Sequence, residues 1–279
     1  MAEELAAARD LPRDFQNALA GRAGRLGGLA SRVLWYESVS STNDLADRAA
    51  SAGAGHGTVV AAECQESGRG RQGRTWYSPP GAGLYVSVVL RPEEVFGTAP
   101  VETLSGASWI TLTAGVALAE ALHASTGLPA AIKWPNDLVV GPRKVCGILA
   151  EAATSGTGLR HIVLGFGINV LSAAYPPEIA HRATSIEAEL GRAVDRAAIF
   201  AESLACLAER LRQLASGGFD ATLDLWRTLS PSSIGARVEV VSPAGWLEGT
   251  TAGVDRDGAL LVKVGATVRR VIAGEVRWM

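Results

Sequence analysis

The chain predicts an α+β protein, a mixed sheet with helices packed against it followed by a small all-β unit. Between Val33 and Thr228, apolar runs of strand length alternate with long segments of helical spacing. After Ser230-Pro231-Ser232-Ser233 the helical spacing ends, leaving short strand-like runs separated by turn residues. A length of 279 residues is enough for one large core and a smaller one.

Residues 1–32 read as a short N-terminal extension; Leu11–Ala30 is rich in Ala, Gly and Arg and shows no strand. The main unit, 33–230, opens with the strand Val33-Leu34-Trp35-Tyr36. Ser41 or Thr42 is placed to cap a following helix, with Asp44 in its first turn facing the positive helix end. Thr58-Val59-Val60-Ala61-Ala62 reads as a buried strand, and Leu84–Leu90 as a central one. Ser108–Ser125 is apolar and free of proline, a buried helix stopped by Gly127 and Pro129. Strands are expected at Ala131–Trp134, Val145–Ala150 and Ile162–Gly165. Ala197–Ala215 is amphipathic, and Phe219–Thr228 reads as another helix. In the last unit, 231–279, strands are expected at Ala236–Val241, Gly249–Val254, Leu260–Val264 and Val268–Ile272. Ser242-Pro243, Asp257-Gly258 and Gly265 mark the turns.

Composition excludes several functions. Lys and Arg number 26 against 28 Asp and Glu, a net charge of −2, which is no electrostatic footprint for nucleic acid. The start Met1-Ala2-Glu3-Glu4-Leu5 is not secretory in character. No apolar run reaches the ~18 residues of a membrane span. Cys64, Cys146 and Cys206 lack disulfide or metal spacing and fit reduced thiols in the cytoplasm.

The most informative stretch is Gln65-Glu66-Ser67-Gly68-Arg69-Gly70-Arg71-Gln72-Gly73-Arg74-Thr75-Trp76. Glycines let a backbone fold closely over a ligand, and arginines match carboxylate and phosphate oxygens in pairs. Gly68–Gly73 matches G-x-G-x-x-G literally, but that fingerprint must open a helix. Here it runs into Trp76-Tyr77-Ser78-Pro79-Pro80-Gly81, which cannot be helix interior. Read alone, the stretch is either a ligand loop or a solvated basic loop.

Its company decides between them. Ser40-Ser41-Thr42-Asn43-Asp44 lies upstream. Downstream come Lys133-Trp134-Pro135-Asn136-Asp137, Lys144-Val145-Cys146-Gly147-Ile148-Leu149-Ala150-Glu151 and Gly165-Phe166-Gly167-Ile168-Asn169. This ordered series resembles the biotin protein ligases, from about Leu34 to the C-terminus. The resemblance implies a mixed-sheet catalytic domain of the biotin/lipoate ligase type and an SH3-like β-barrel at residues 231–279. It implies activation of biotin by ATP, with Mg²⁺ assisting, to biotinoyl-5′-AMP, and transfer to a lysine of a biotin carboxyl carrier protein.

The implied catalytic residues are Lys144, Arg69, Arg71 and Asp137. Biotin would meet Ser41, Thr42, Asn43, Gln65, Arg69, Gly70, Arg71 and Lys144, and the nucleotide Lys133, Asn136 and Asn169. No protein-held metal is expected. Plainer readings stand beside two of these assignments, an N-cap for Ser41-Thr42-Asn43 and a turn cap for Asp137. Trp134 reads as core, and His56, His123, His161 and His181 carry no catalytic assignment. Glu66, Ser67 and Cys146 depart from the usual family residues, and Glu66 beside Arg69 is placed either to weaken or to preorganise the cationic loop.

Some members of this family carry a DNA-binding domain, but the segment before Val33 is short and lacks a basic recognition helix. The expectation is a cytoplasmic ligase, monomer or homodimer, with no specific DNA and no membrane partner. A lipoate ligase of the same fold and a non-catalytic biotin-binding protein are the competing readings.

Overall fold

A computed structural model describes residues 5, 7–97, 103–156, 158–173, 175–242, 245–272 and 274–279, with the side chains of 103–105 excepted. The first four residues and Pro243 of the expected Ser242-Pro243 turn lie outside these.

In chain order the elements are α1 (Arg13–Ala20), β1 (Val33–Val39), α2 (Thr42–Ser51), β2 (Val59–Gln65), β3 (Gly83–Leu90), α3 (Pro92–Phe96) and α4 (Thr103–Thr126). Then come β4 (Ala131–Lys133), β5 (Asp137–Val140), β6 (Arg143–Ser155), β7 (Gly158–Asn169), α5 (Pro177–Ala180) and α6 (Ile186–Leu190). The series ends with α7 (Arg196–Ala215), α8 (Phe219–Leu229), β8 (Ile234–Ser242), β9 (Gly245–Val254), β10 (Leu260–Val264), β11 (Thr267–Val271) and β12 (Glu275–Trp278).

Among the described residues the main sheet has seven strands in the order β1-β2-β3-β7-β6-β5-β4. Only β1 and β2 run parallel; the other neighbours are antiparallel, which makes the sheet mixed. The second sheet is antiparallel, ordered β11-β10-β9-β8-β12.

Strand alternation sends each run to two faces. Trp35, Val59, Ala61, Val86, Val88, Leu164, Phe166 and Ile168 join the large core built with α4 and α7. Their neighbours Leu34, Tyr36, Val60, Ala62, Val89 and Val163 meet Leu45, Ala46 and Ala50 of α2 on the opposite face. A single short helix therefore covers the β1–β3 side of that second face. Over β6 and β7 the face carries Gly147, Gly165 and Gly167 instead, and it stays open.

Six elements were not legible in sequence, namely α1, α3, α5, α6, β5 and β12. Helix α1 belongs to the core, because Phe15 packs 4.8 Å from the Trp35 ring and 5.2 Å from Phe200. Arg22 and Arg25 bind this N-terminal segment to Glu202 and Glu209 of α7. The small sheet docks through Trp134, which is core as expected and donates from Nε1 to the Gly258 carbonyl at 2.9 Å. Arg227 donates to the Val254 carbonyl at 3.0 Å.

Because Phe15 is buried between two aromatic rings, Phe15→Ala should destabilise the whole protein by ~3–5 kcal/mol. Urea unfolding followed by circular dichroism measures this; a loss confined to a few tenths would show α1 to be an independent appendage.

Candidate active site

The open face of the main sheet forms the floor of a cavity of about 990 Å³. A methyl group on Gly147 would lie 2.8 Å from the Trp76 ring and 3.0 Å from Lys144 Nζ. On Gly167 it would overlap the Trp76 indole, and on Gly165 the Asn43 side-chain oxygen. Three positions on one face thus have no room for a Cβ. The strand period explains the run Gly165-Phe166-Gly167-Ile168-Asn169: its odd members face the cavity while Phe166 and Ile168 are buried in the core.

Lys144 reaches the same face by an irregularity. The β5–β6 register shifts so that Leu138 faces Cys146 while Val139 faces Lys144. Val145 and Cys146 both enter the core, and the extra residue turns Lys144 to the cavity. There Nζ lies 2.6 Å from Asp137 Oδ1 and 5.1 Å from the Trp76 ring centroid. Burial in apolar surroundings pushes the Cys146 thiol up, so it is a packing residue.

The start of α2 supplies the polar end. Ser41 occupies the N-cap position in extended conformation, yet its hydroxyl makes no cap hydrogen bond. The Thr42 backbone N–H instead donates to Gln65 Oε1 at 2.9 Å, with Thr42 Oγ1 3.1 Å away. Gln65 Nε2 donates to Ser78 Oγ at 2.9 Å, tying the helix start to the returning arm of the loop. Ser87 donates to Asn43 Oδ1 at 2.6 Å, and Asn43 Nδ2 donates to Glu151 Oε2 at 2.7 Å.

The glycine-rich loop closes on itself through Gly70 N–H to the Arg74 carbonyl, 2.7 Å, and Trp76 N–H to the Gly68 carbonyl, 2.8 Å. Its three arginines go separate ways. Arg69 Nη2 lies 2.7 Å from both Asp44 Oδ1 and Glu151 Oε2. Arg74 pairs with Glu275 of β12 at 2.8 Å. The Arg71 side chain lines the cavity and has no hydrogen bond or ion pair among the described residues. Burial lowers its hold on its proton, with Asp137 opposing. Glu66 accepts from Ser38 at 3.0 Å, while Arg69 pairs with Asp44 and Glu151.

Farther along the cavity, Lys133 Nζ sits 5.8 Å from the Trp278 ring centroid; its pKa is lowered by burial and by Lys144 and Arg182, and raised by Asp137. Asn136 Nδ2 donates to the Ile148 carbonyl at 2.6 Å, and Asn169 Nδ2 to the Thr184 carbonyl at 2.9 Å. All twelve residues singled out from sequence line this one cavity: Ser41, Thr42, Asn43, Gln65, Arg69, Gly70, Arg71, Lys133, Asn136, Asp137, Lys144 and Asn169.

Comparison with known proteins now bears on what the cavity belongs to. The Biotin/lipoate A/B protein ligase family pattern matches residues 35–169. A biotin–[acetyl-CoA-carboxylase] ligase of Mycobacterium tuberculosis is 37% identical over 242 residues, 85% of each chain. The chain belongs to the biotin protein ligase family. A bifunctional ligase/repressor, BirA, of Bacillus spizizenii is 30% identical over 89% of this chain and 74% of its own length. Among solved structures, the Aquifex aeolicus biotin protein ligase in complex with biotin and ATP superposes with a TM-score of 0.75. That pair is 28% identical, covering 89% of this chain and 99% of the other. The two sheets are thus the mixed catalytic sheet and SH3-like domain of a ligase fold.

Sequence reasoning assigned no site role to Trp76, Asp44, Glu151, Glu275 or Trp278, all placed on or beside the cavity. A signal existed for Glu151, which follows Gly147 and Leu149 at period two on β6. None existed for Glu275 and Trp278, whose strand is too short to read.

Gly167→Ala should drive the Trp76 indole off the floor and cost ~1–3 kcal/mol. In a Trp76→Ala background the same change should cost much less, because its clash partner is gone. Urea midpoints of the four proteins test this; equal costs in both backgrounds would place Trp76 away from Gly167.

Proposed function

We propose that the chain activates biotin with ATP and transfers the biotinoyl group to a lysine of a biotin carboxyl carrier protein. The observation that carries this reading is one cavity in which an apolar, glycine-floored surface ends at Lys144 and the unpartnered Arg71. The biotin carboxylate attacks the α-phosphorus, the bond to the β-phosphate breaks, and pyrophosphate leaves with the electron pair. The carrier lysine nitrogen then attacks the biotinoyl carbonyl, the anhydride C–O bond breaks, and AMP departs.

The first step brings an anion against a polyanion. Unit charges ~4 Å apart repel by ~4 kcal/mol at an effective dielectric near 20. Lys144 and Arg71 supply the opposing charge, Lys144 on the carboxyl oxygens in both steps. Ser41, Thr42, Asn43 and Gln65 give the ureido ring its donors and acceptors, and the backbone near Gly70 holds the carboxyl side. Lys133, Asn136 and Asn169 face the nucleotide. Asp137, paired with Lys144, orients the incoming amine and takes its proton.

Among the described residues no cluster of three or more His, Cys, Asp or Glu is placed to hold a metal ion. Our reading is that magnesium enters on the ATP phosphates as part of the substrate, phosphate oxygens being its natural ligands. The Gly68–Trp76 and Lys133–Asp137 motifs, which belong to the biotin side, disfavour a lipoate ligase, and the presence of Lys144 and the loop arginines disfavours a non-catalytic binder. A net charge of −2 supports a chain without specific DNA binding, and we take it to be a monomer or homodimer. No helix of the described residues is long and apolar enough to cross a membrane, and a cytoplasmic location is our reading.

Pyrophosphate exchange into ATP, run with biotin and with lipoate, tests the reaction; exchange with lipoate alone would refute it. Lys144→Ala should lower turnover ~10²–10³-fold with the fold intact. Wild-type turnover by this variant at saturating biotin and ATP would leave Lys144 a solvated charge.

A further inference from the structure

The first loop arginine is matched by carboxylates of the protein itself. Arg69 Nη2 is 2.7 Å from carboxylates on two different elements, Asp44 in the first turn of α2 and Glu151 on β6. The same Glu151 Oε2 accepts from Asn43 Nδ2 at 2.7 Å. One carboxylate oxygen therefore joins the loop, the sheet and an amide that lines the cavity.

We propose that Asp44 and Glu151 form a latch that holds the glycine-rich loop over the cavity through Arg69, and that both are positioning residues for biotin binding. This rests on the biotin reading of the cavity. The distribution of charge along the loop supports it. Arg69 and Arg74 stand at the neck, which the Gly70–Arg74 backbone bond closes. Each neck arginine has a carboxylate partner outside the loop, Arg74 on Glu275. Arg71, between them, has no such partner among the described residues and lines the cavity. The outer charges thus fasten the loop, and the inner one is left for an anion. The Asp44, Arg69 and Glu151 side chains are each about two-fifths exposed. Ion pairs so exposed are individually weak, which suits a closure that opens at every turnover.

The test removes charge and keeps shape. Glu151→Gln leaves a carbonyl oxygen to accept from Asn43 while withdrawing the partner of Arg69, and Asp44→Asn does the same on α2. In the full-length, ligand-free protein, the double variant should be cut by trypsin at Arg71 and Arg74 about tenfold faster than wild type. In pyrophosphate exchange its KM for biotin should rise about tenfold while kcat at saturating biotin stays within about threefold. Glu151→Asp, which retains the charge, should recover most of the KM.

Wild-type cleavage together with wild-type KM in the double variant would overturn the latch. So would a fall in kcat at unchanged KM, which would put Arg69 on the reacting centre. Should the double variant fail to fold, the single variants are judged by the same two readouts with smaller shifts. The cleavage arm uses no biotin, so a wild-type protein inactive with biotin would sink the proposed function and still leave the latch to be decided.

Discussion

The site depends on a face of sheet that must stay bare. Strands β6 and β7 pair through the whole hydrophobic core, and any side chain at Gly147, Gly165 or Gly167 would rise into the cavity. Their lack of a Cβ does three things at once. It gives the pocket its depth, lets the Trp76 indole lie flat against the sheet, and makes room for the Asn43 amide over Gly165. Glycine weakens a strand interior, and here that cost is spread over the two longest strands of the main sheet. The other face of those strands is packed by Ile148, Leu164, Phe166 and Ile168. The core on one side thus supports the emptiness on the other.

Charge is arranged around that bare floor so that cations are desolvated without being neutralised. Arg71 and Lys133 both lose affinity for their protons through burial, and Asp137 partly restores it for each. A cation held out of water and short of partners has more to gain from an arriving carboxylate or phosphate than one already solvated. Lys144, paired with Asp137, is the exception. Its Nζ lies 2.6 Å from Asp137 Oδ1, so its charge is already matched within the cavity.

Much of this was legible in the sequence because the relevant signals are local. Period two in Gly165-Phe166-Gly167-Ile168-Asn169 separates cavity from core, and the change of spacing after Ser230 marks the second sheet. What escaped depends on distant partners. That Arg69 meets Glu151 rather than Glu66 is decided by a contact 82 residues away in the chain. The facing of Lys144 follows from a register shift against β5, a strand hidden behind the turn-like Pro135-Asn136-Asp137. Strand β12 has only four residues and gains its identity by pairing with β8. Helix α1, rich in small and charged residues, shows its single buried aromatic only once Trp35 and Phe200 surround it.

The small sheet is also part of the site rather than a neighbour of it. Strand β12 contributes Glu275 and Trp278, one bound to the neck of the loop and the other beside Lys133. It follows β11 in sequence, yet it pairs with β8 at the opposite edge of the small sheet. Trp134 of the Lys133–Asp137 segment in turn bonds to Gly258 in the turn before β10. The same short segment that lines the cavity therefore anchors the small domain. Displacing that domain would remove the β12 partners of Lys133 and Arg74 together, so the small sheet shares the cavity wall.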